Sequence, residues 1–274
     1  MKAPAFDYLR PATIAEAVAA LAEGAGGARI LAGGQSLVPM LNLRVAFAET
    51  LIDIGAIADL RAVVDEGETV LIGAGVTHAT LEDGTMGDHW RGMPAFVARD
   101  IAYRAVRNRG TLGGSLCHAD PAADWPVAMM ALDATMLLAG PEGERVLASE
   151  DFSVDVFTTA LEEDEMLTGI RLPKLSPSAR WSYRKMRKKA GAFGEAIAAV
   201  VHDPARGFTR VVAGSSAVGG PCRLEALEGA VASGSLAAEA AIRAALAERE
   251  PDLDRYEMQI HATCLRRAMK EVSS

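Results

Sequence analysis

The sequence predicts an α+β protein built in two parts, and three observations carry that prediction. The chain has 274 residues, half of them hydrophobic and 23% charged, a globular composition long enough for two domains. Helix-like and strand-like segments mix up to about residue 175, and beyond it come three strands followed by three helices. Between the two parts, Lys174 to Ala179 reads KLSPSA with Pro173 just before it, which makes it the best linker in the chain.

The elements follow in order. Thr13 to Glu23 has Thr13 as N-cap, Glu16 three residues on and Gly24 after the end, the pattern of a capped helix. Arg29 to Ala32 is a short apolar strand that runs into Gly33-Gly34. Leu37 to Leu43 fits a short helix and Leu51 to Ile54 a strand. Arg61 to Gly75 holds two β-branched runs around Glu66-Gly67, a hairpin. Met93 to Tyr103 fits a helix, and Arg109-Gly110 leads to a second glycine pair, Gly113-Gly114. Ala128 to Leu132 is helical, with Asp124 either its N-cap or a ligand contact. Ala134 to Leu138 and Glu144 to Leu147 form another hairpin, and Leu167 to Leu172 is a strand stopped by Pro173. The strands Trp181 to Met186, Ala196 to His202 and Thr209 to Ala213 precede the helices Leu224 to Ala232, Leu236 to Glu248 and Arg255 to Val272.

Charge and cysteine usage exclude several classes of function. There are 28 basic and 36 acidic residues, net −8, which argues against a nucleic-acid binder. A small anionic ligand stays open, because backbone N–H groups bind phosphate without net charge. No apolar run at the start reads as a signal peptide, and none elsewhere approaches the ~20 residues of a membrane-spanning helix. Cys117, Cys222 and Cys264 are too scattered for a disulfide framework or a metal cluster, so the expected compartment is the reducing cytoplasm.

Two similar loops carry the strongest local signal. Ala32-Gly33-Gly34-Gln35-Ser36 and Thr111-Leu112-Gly113-Gly114-Ser115 both place serine close behind a glycine pair. Each alone reads as an ordinary turn. Together, each at a strand end, they could present successive N–H groups to the two phosphates of a dinucleotide. Gly73-Ala74-Gly75 opens like a Rossmann fingerprint, but position 78 is His78 and no suitable helix and strand follow. Cys117, His118 and Asp120 sit too close in sequence to suggest converging metal ligands or a thiol nucleophile. Arg180 to Lys189 is strongly basic; on a strand, Tyr183, Lys185, Arg187 and Lys189 share one face. That face is either a solvated edge or a contact for an anionic cofactor.

The runs AGGQSLVPMLNLR (Ala32 to Arg44) and RNRGTLGGSLCHADPAADWP (Arg107 to Pro126) resemble the two flavin loops of the medium, FAD-binding subunits of molybdenum hydroxylases. This is the carbon monoxide dehydrogenase and xanthine dehydrogenase family. The likeness extends from Phe6-Asp7-Tyr8 to the C-terminal helices. It implies a two-lobed FAD-binding domain of the vanillyl-alcohol-oxidase (PCMH) type over residues 1–175, with lobes of about 1–57 and 58–175. A small three-strand, three-helix domain over 176–274 would follow.

By resemblance, FAD is bound non-covalently. Ala32, Gly33, Gly34, Gln35 and Ser36, with Thr111, Gly113, Gly114 and Ser115, would hold its pyrophosphate and ribityl chain. Asp124 would contact the polar part of the flavin, Leu167 would pack near the cofactor, and Lys185 would sit near the isoalloxazine. Leu37, Ile101, His118, Asp120 and Phe193 complete the implied cofactor-binding set. The sequence departs from the family in having Gln35 for histidine, Cys117 for alanine, and Gly191-Ala192-Phe193 for Gly-Asp-aromatic. The implied partners are a small subunit with [2Fe-2S] clusters and a large subunit with the molybdenum cofactor, in a doubled heterotrimer. Electrons would pass from the clusters through FAD to an acceptor. The rival readings are a stand-alone flavoprotein oxidase and a flavin-binding scaffold without turnover.

Overall fold

The structure is a computed structural model and describes residues 2–273. Its first unit comprises β1 (Asp7–Leu9), α1 (Ile14–Glu23), β2 (Ala28–Leu31), α2 (Leu37–Leu43) and β3 (Thr50–Asp53). The three strands lie in the order β1-β3-β2 with both pairs parallel. α1 begins as its capping box dictates: the Thr13 hydroxyl accepts the Glu16 N–H at 3.2 Å, and the Glu16 carboxylate reaches back to the Ala12 N–H at 2.7 Å. Its apolar face, Ala17, Val18 and Leu21, packs with Ile52 and Ile54, and with Ala139 and Met166 of the second sheet.

The second unit runs through β4 (Val63–Asp65), β5 (Thr69–Gly73), α3 (His78–Glu82), α4 (Met93–Ala98), α5 (Arg104–Arg107), α6 (Leu112–His118) and α7 (Asp124–Ala131). It continues with β6 (Thr135–Gly140), β7 (Gly143–Ala148), α8 (Ser149–Phe152), β8 (Ser153–Asp155), β9 (Thr158–Thr159) and β10 (Met166–Pro173). Both expected hairpins form, and β10 joins them into an antiparallel sheet of order β4-β5-β10-β6-β7. Every residue of α7 is buried, because the helix is sandwiched between this unit and the next sheet.

The third unit is a meander of β11 (Arg180–Met186), β12 (Ala196–Asp203), β13 (Phe208–Gly214) and β14 (Cys222–Arg223), followed by α9 (Glu225–Ala232), α10 (Glu239–Arg249) and α11 (Arg255–Ser273). All eight residues of β12 are buried. Ile197, Ala199 and Val201 face the cluster around α7, while Ala196, Ala198 and Val200 face the helices. This alternation makes the sheet a middle layer. The Lys174 to Ala179 connector is pinned rather than loose: buried Asp203 accepts the Ser176 N–H at 2.8 Å and the Ser176 hydroxyl at 2.5 Å.

Several expectations need correction. The helix expected over Met93 to Tyr103 stops at Ala98: the Asp100 and Ile101 N–H groups fall back to the carbonyls three residues earlier, and the backbone then turns left-handed at Ala102 (φ +44°) before α5. The second glycine pair does not follow a strand; it follows α5 and opens α6, with Thr111 as its cap. Asp124 is not an N-cap: Ala123 holds that position, and the Asp124 side chain is engaged elsewhere. β11 ends at Met186, so Arg187 and Lys189 lie beyond the strand. A fourth strand, β14, joins the expected three.

Candidate functional site

The first glycine loop carries β2 into α2. Gly34 takes φ +69°, and Ser36, at the N-cap position, makes no side-chain cap bond. Among the described residues, the N–H groups of Gly33, Gly34, Gln35 and Ser36 donate to no protein atom. The Gln35 amide folds back onto the Gly33 carbonyl at 3.1 Å. Four consecutive unspent donors suit an anion.

The second loop behaves differently. Leu112 N–H donates to Val76 O and Gly113 N–H to Ala74 O, both at 2.9 Å. Gly114 N–H is taken by the Thr111 hydroxyl at 3.0 Å, and Ser115 N–H by Thr111 O at 3.1 Å. The expectation that both loops expose successive N–H groups therefore holds only for the first. The glycines of the second supply closeness instead. A Cβ on Gly113 would lie 2.5 Å from the Ala74 Cβ. The loops also touch each other, since a Cβ on Gly33 would lie 2.1 Å from the Arg109 carbonyl oxygen.

Between them opens a cleft of about 590 Å³, the size of a small-molecule site. Every residue named from the sequence lines it: Ala32 through Leu37, Ile101, Thr111, Gly113, Gly114, Ser115, His118, Asp120, Asp124, Leu167, Lys185 and Phe193. Ile30, Met40, Ile54 and Met166 add apolar wall.

At Asp124 the second unit meets the third. Lys185 Nζ lies 2.9 Å from the Asp124 carboxylate, which also accepts the Tyr183 hydroxyl at 2.6 Å. The two charged side chains are 2% and 4% exposed, so Lys185 is no solvated charge. Burial pushes the Asp124 carboxyl above its ordinary range, against the pull of Lys185 and Tyr183. Burial and the Asp124 charge hold the Tyr183 phenol protonated. Three more side chains of the basic run are paired: Arg184 with Glu271, Arg187 with Asp100 and Lys188 with Glu195. Most of the run is therefore neutralised by acidic partners, while Arg180 and Lys189 at its two ends are exposed.

Nucleophile and metal readings find no support. Cys117 is half-buried and lines the cleft, but its low-polarity surroundings push the thiol up to about 12, which keeps it from being a thiolate nucleophile. His118 packs on the Phe157 ring, and Asp120 accepts the Ala122 N–H at 2.9 Å. Among the described residues no three His, Cys, Asp or Glu side chains converge as metal ligands.

Sequence reasoning passed over His78, which also lines the cleft. Its Nδ1 accepts the Trp125 indole N–H at 3.0 Å, and its backbone N–H binds Gly110 O at 2.9 Å. The only signal was its place five residues after Gly73, where the dinucleotide fingerprint breaks.

Residues 4–175 match the family model described as the FAD binding domain in molybdopterin dehydrogenase. The chain is 39% identical over 198 residues to the carbon monoxide dehydrogenase medium chain of Hydrogenophaga pseudoflava, covering 72% of this chain and 69% of that one. It is 37% identical over 202 residues to the caffeine dehydrogenase subunit beta of Pseudomonas sp. strain CBB1, covering 73% and 68%. A structure of reconstituted CO dehydrogenase from Oligotropha carboxidovorans superposes with TM-score 0.89 at 32% identity, over 100% of this chain and 99% of the other.

Proposed function

The chain belongs to the family of FAD-binding domains in molybdopterin dehydrogenases, and on that premise we propose that it relays electrons from partner [2Fe-2S] clusters through FAD to an acceptor. The observation that carries this reading is the row of unspent N–H groups from Gly33 to Ser36, facing a glycine-lined helix start across one cleft. The residues fit FAD. Four donors suit its pyrophosphate, the apolar walls suit its rings, and the glycines let the backbone come close.

FAD supplies the reversible electron chemistry when bound. The chain's own residues hold it and set its surroundings. Gly33 to Ser36 would bind the pyrophosphate, and Thr111 with Ser115 would present hydroxyls beside it. Ile101 and Leu167 would exclude water from the rings. Asp124 would accept from the polar edge of the flavin while Lys185, paired with it, keeps the local net charge near zero. Cys117, Cys222 and Cys264 are separate free thiols, short of the four converging thiolates a cluster requires. The electron source therefore belongs on a partner.

The assembly proposed is one small iron–sulfur subunit and one large molybdenum subunit with this chain, doubled by symmetry. We assign residues 1–175 to the FAD-binding domain, with lobes of about 1–57 and 58–175, and 176–274 to a C-terminal domain. Three free cysteines fit the cytoplasm. The substrate would be chosen on the large subunit.

Purification of the tagged chain from its native host tests this. A flavin-containing complex with a cluster-bearing and a molybdenum-bearing subunit is expected. A solitary flavoprotein that oxidises an organic substrate at full rate would overturn it in favour of a stand-alone oxidase.

A further inference from the structure

His78 is 6% exposed, lines the cleft and belongs to neither glycine loop. An indole N–H can only donate, so the Trp125 bond obliges His78 Nδ1 to accept. In the neutral ring the proton then sits on Nε2. Burial, with the Arg107 charge adding to it, drives the ring's titration down to about 4, so it is neutral at physiological pH. Nε2–H has no partner among the described residues. No buried side-chain nitrogen or oxygen among the described residues lacks a partner, so Nε2 opens onto the cleft it lines.

The position is rigid. His78 is bound through its backbone to Gly110, and Thr77 bridges to Thr111. A Cβ at Gly110 would come within 2.9 Å of His78 Nε2, so the glycine leaves that face of the ring clear. The second loop's own N–H groups from Leu112 to Ser115 are spent. With those four spent, the backbone offers no row of donors on that side of the cleft, and a side-chain donor adds to it.

We infer that His78 is a cofactor-binding residue, its Nε2–H donated to an acceptor oxygen or nitrogen of FAD beside the second glycine loop, with Trp125 as the residue that fixes the tautomer. This rests on the cleft being the FAD site. An uncharged donor adds an orienting contact without changing the local charge, which the Asp124–Lys185 pair already balances.

The test measures FAD affinity of the apo chain by quenching of flavin fluorescence, together with proton–nitrogen correlation spectra of the labelled histidine rings. Wild type should bind FAD, and the His78 Nε2–H resonance should shift and exchange more slowly while Nδ1 keeps its unprotonated signature. His78→Phe should weaken binding about five- to tenfold, the loss of one neutral hydrogen bond. His78→Gln, which keeps a donor at similar reach, should recover most of it. Wild-type binding with unmoved His78 signals, or equal affinity in the Phe and Gln variants, would overturn the inference and leave the FAD site standing. Failure of the folded wild type to bind FAD would overturn both.

Discussion

Lys185 Nζ and the Asp124 carboxylate meet at 2.9 Å with both side chains almost fully buried, tying β11 to the first turn of α7. Breaking one half of such a pair leaves the other buried without its counter-charge, so that it stays as a stranded charge or is forced to change protonation, which costs about 3–5 kcal/mol. Lys185→Met and Asp124→Leu should each lower stability by that order in denaturant unfolding of the apo chain. The double variant should recover most of the loss, because paired apolar replacement of a buried ion pair is often near neutral.

The same pair sets the redox expectation. Read as an isolated cation, Lys185 would favour the anionic reduced flavin, and Lys185→Met would lower the midpoint potential by tens of millivolts. With Asp124 beside it the charge is already balanced. In Lys185→Met, the buried carboxyl, already pushed upward, takes a proton and the midpoint should move little. Asp124→Asn uncovers Lys185 and should raise the midpoint. A unit charge about 4 Å away at an effective dielectric of ~20 is worth roughly 4 kcal/mol, or about 90 mV for two electrons, and screening leaves tens of millivolts. Dye-coupled reduction of the two flavinated variants decides between the isolated and the paired cation.

His78 makes the apo chain sensitive to acid. Its titration falls to about 4 from 6.5 in an ordinary histidine, so the folded state prefers the neutral ring. That contribution is complete above about 6.5 and is lost as pH falls towards 4. The full shift corresponds to about 3 kcal/mol. Carboxylates held low by arginines, such as Glu82 and Glu66, add their own losses in acid, so the readout is a difference. The stability gap between wild type and His78→Gln should narrow as pH drops from 7 to 4; a constant gap would show that His78 does not titrate in this way.

Gly33→Val and Gly114→Val should both abolish FAD retention, by different routes. At Gly33 the added carbon strikes the Arg109 carbonyl at 2.1 Å and forces the two loops apart, so apo stability should fall as well. At Gly114 it meets only the capping Thr111 oxygen at 2.7 Å, with Ala32 Cβ next at 3.6 Å, so the cleft narrows and the fold loses about a helix cap, ~1 kcal/mol. Flavin content after purification and apo melting curves separate the two.

Much of this was legible in the sequence because the signals were local. Thr13 and Glu16 announce α1, Glu66-Gly67 marks a hairpin, and the glycine pairs point to residues that line one cleft. What escaped depended on contacts distant in the chain. Nothing local says that the Leu112 and Gly113 N–H groups are spent on Val76 and Ala74, or that the helix loosens after Ala98 and the chain turns left-handed at Ala102. Asp124 read equally well as a cap until Tyr183 and Lys185, about 60 residues on, were seen to claim it. His78 was invisible for the same reason: its meaning comes from Trp125, 47 positions away.

The relay itself is tested most directly by rapid mixing. The FAD-loaded chain is mixed anaerobically with its chemically reduced iron–sulfur partner subunit, and flavin absorbance is followed. Bleaching of the flavin with matching reoxidation of the clusters, at a rate at least that of the intact complex's turnover, is the predicted result. A flavin that stays oxidised beside reduced clusters in a formed complex would contradict the account.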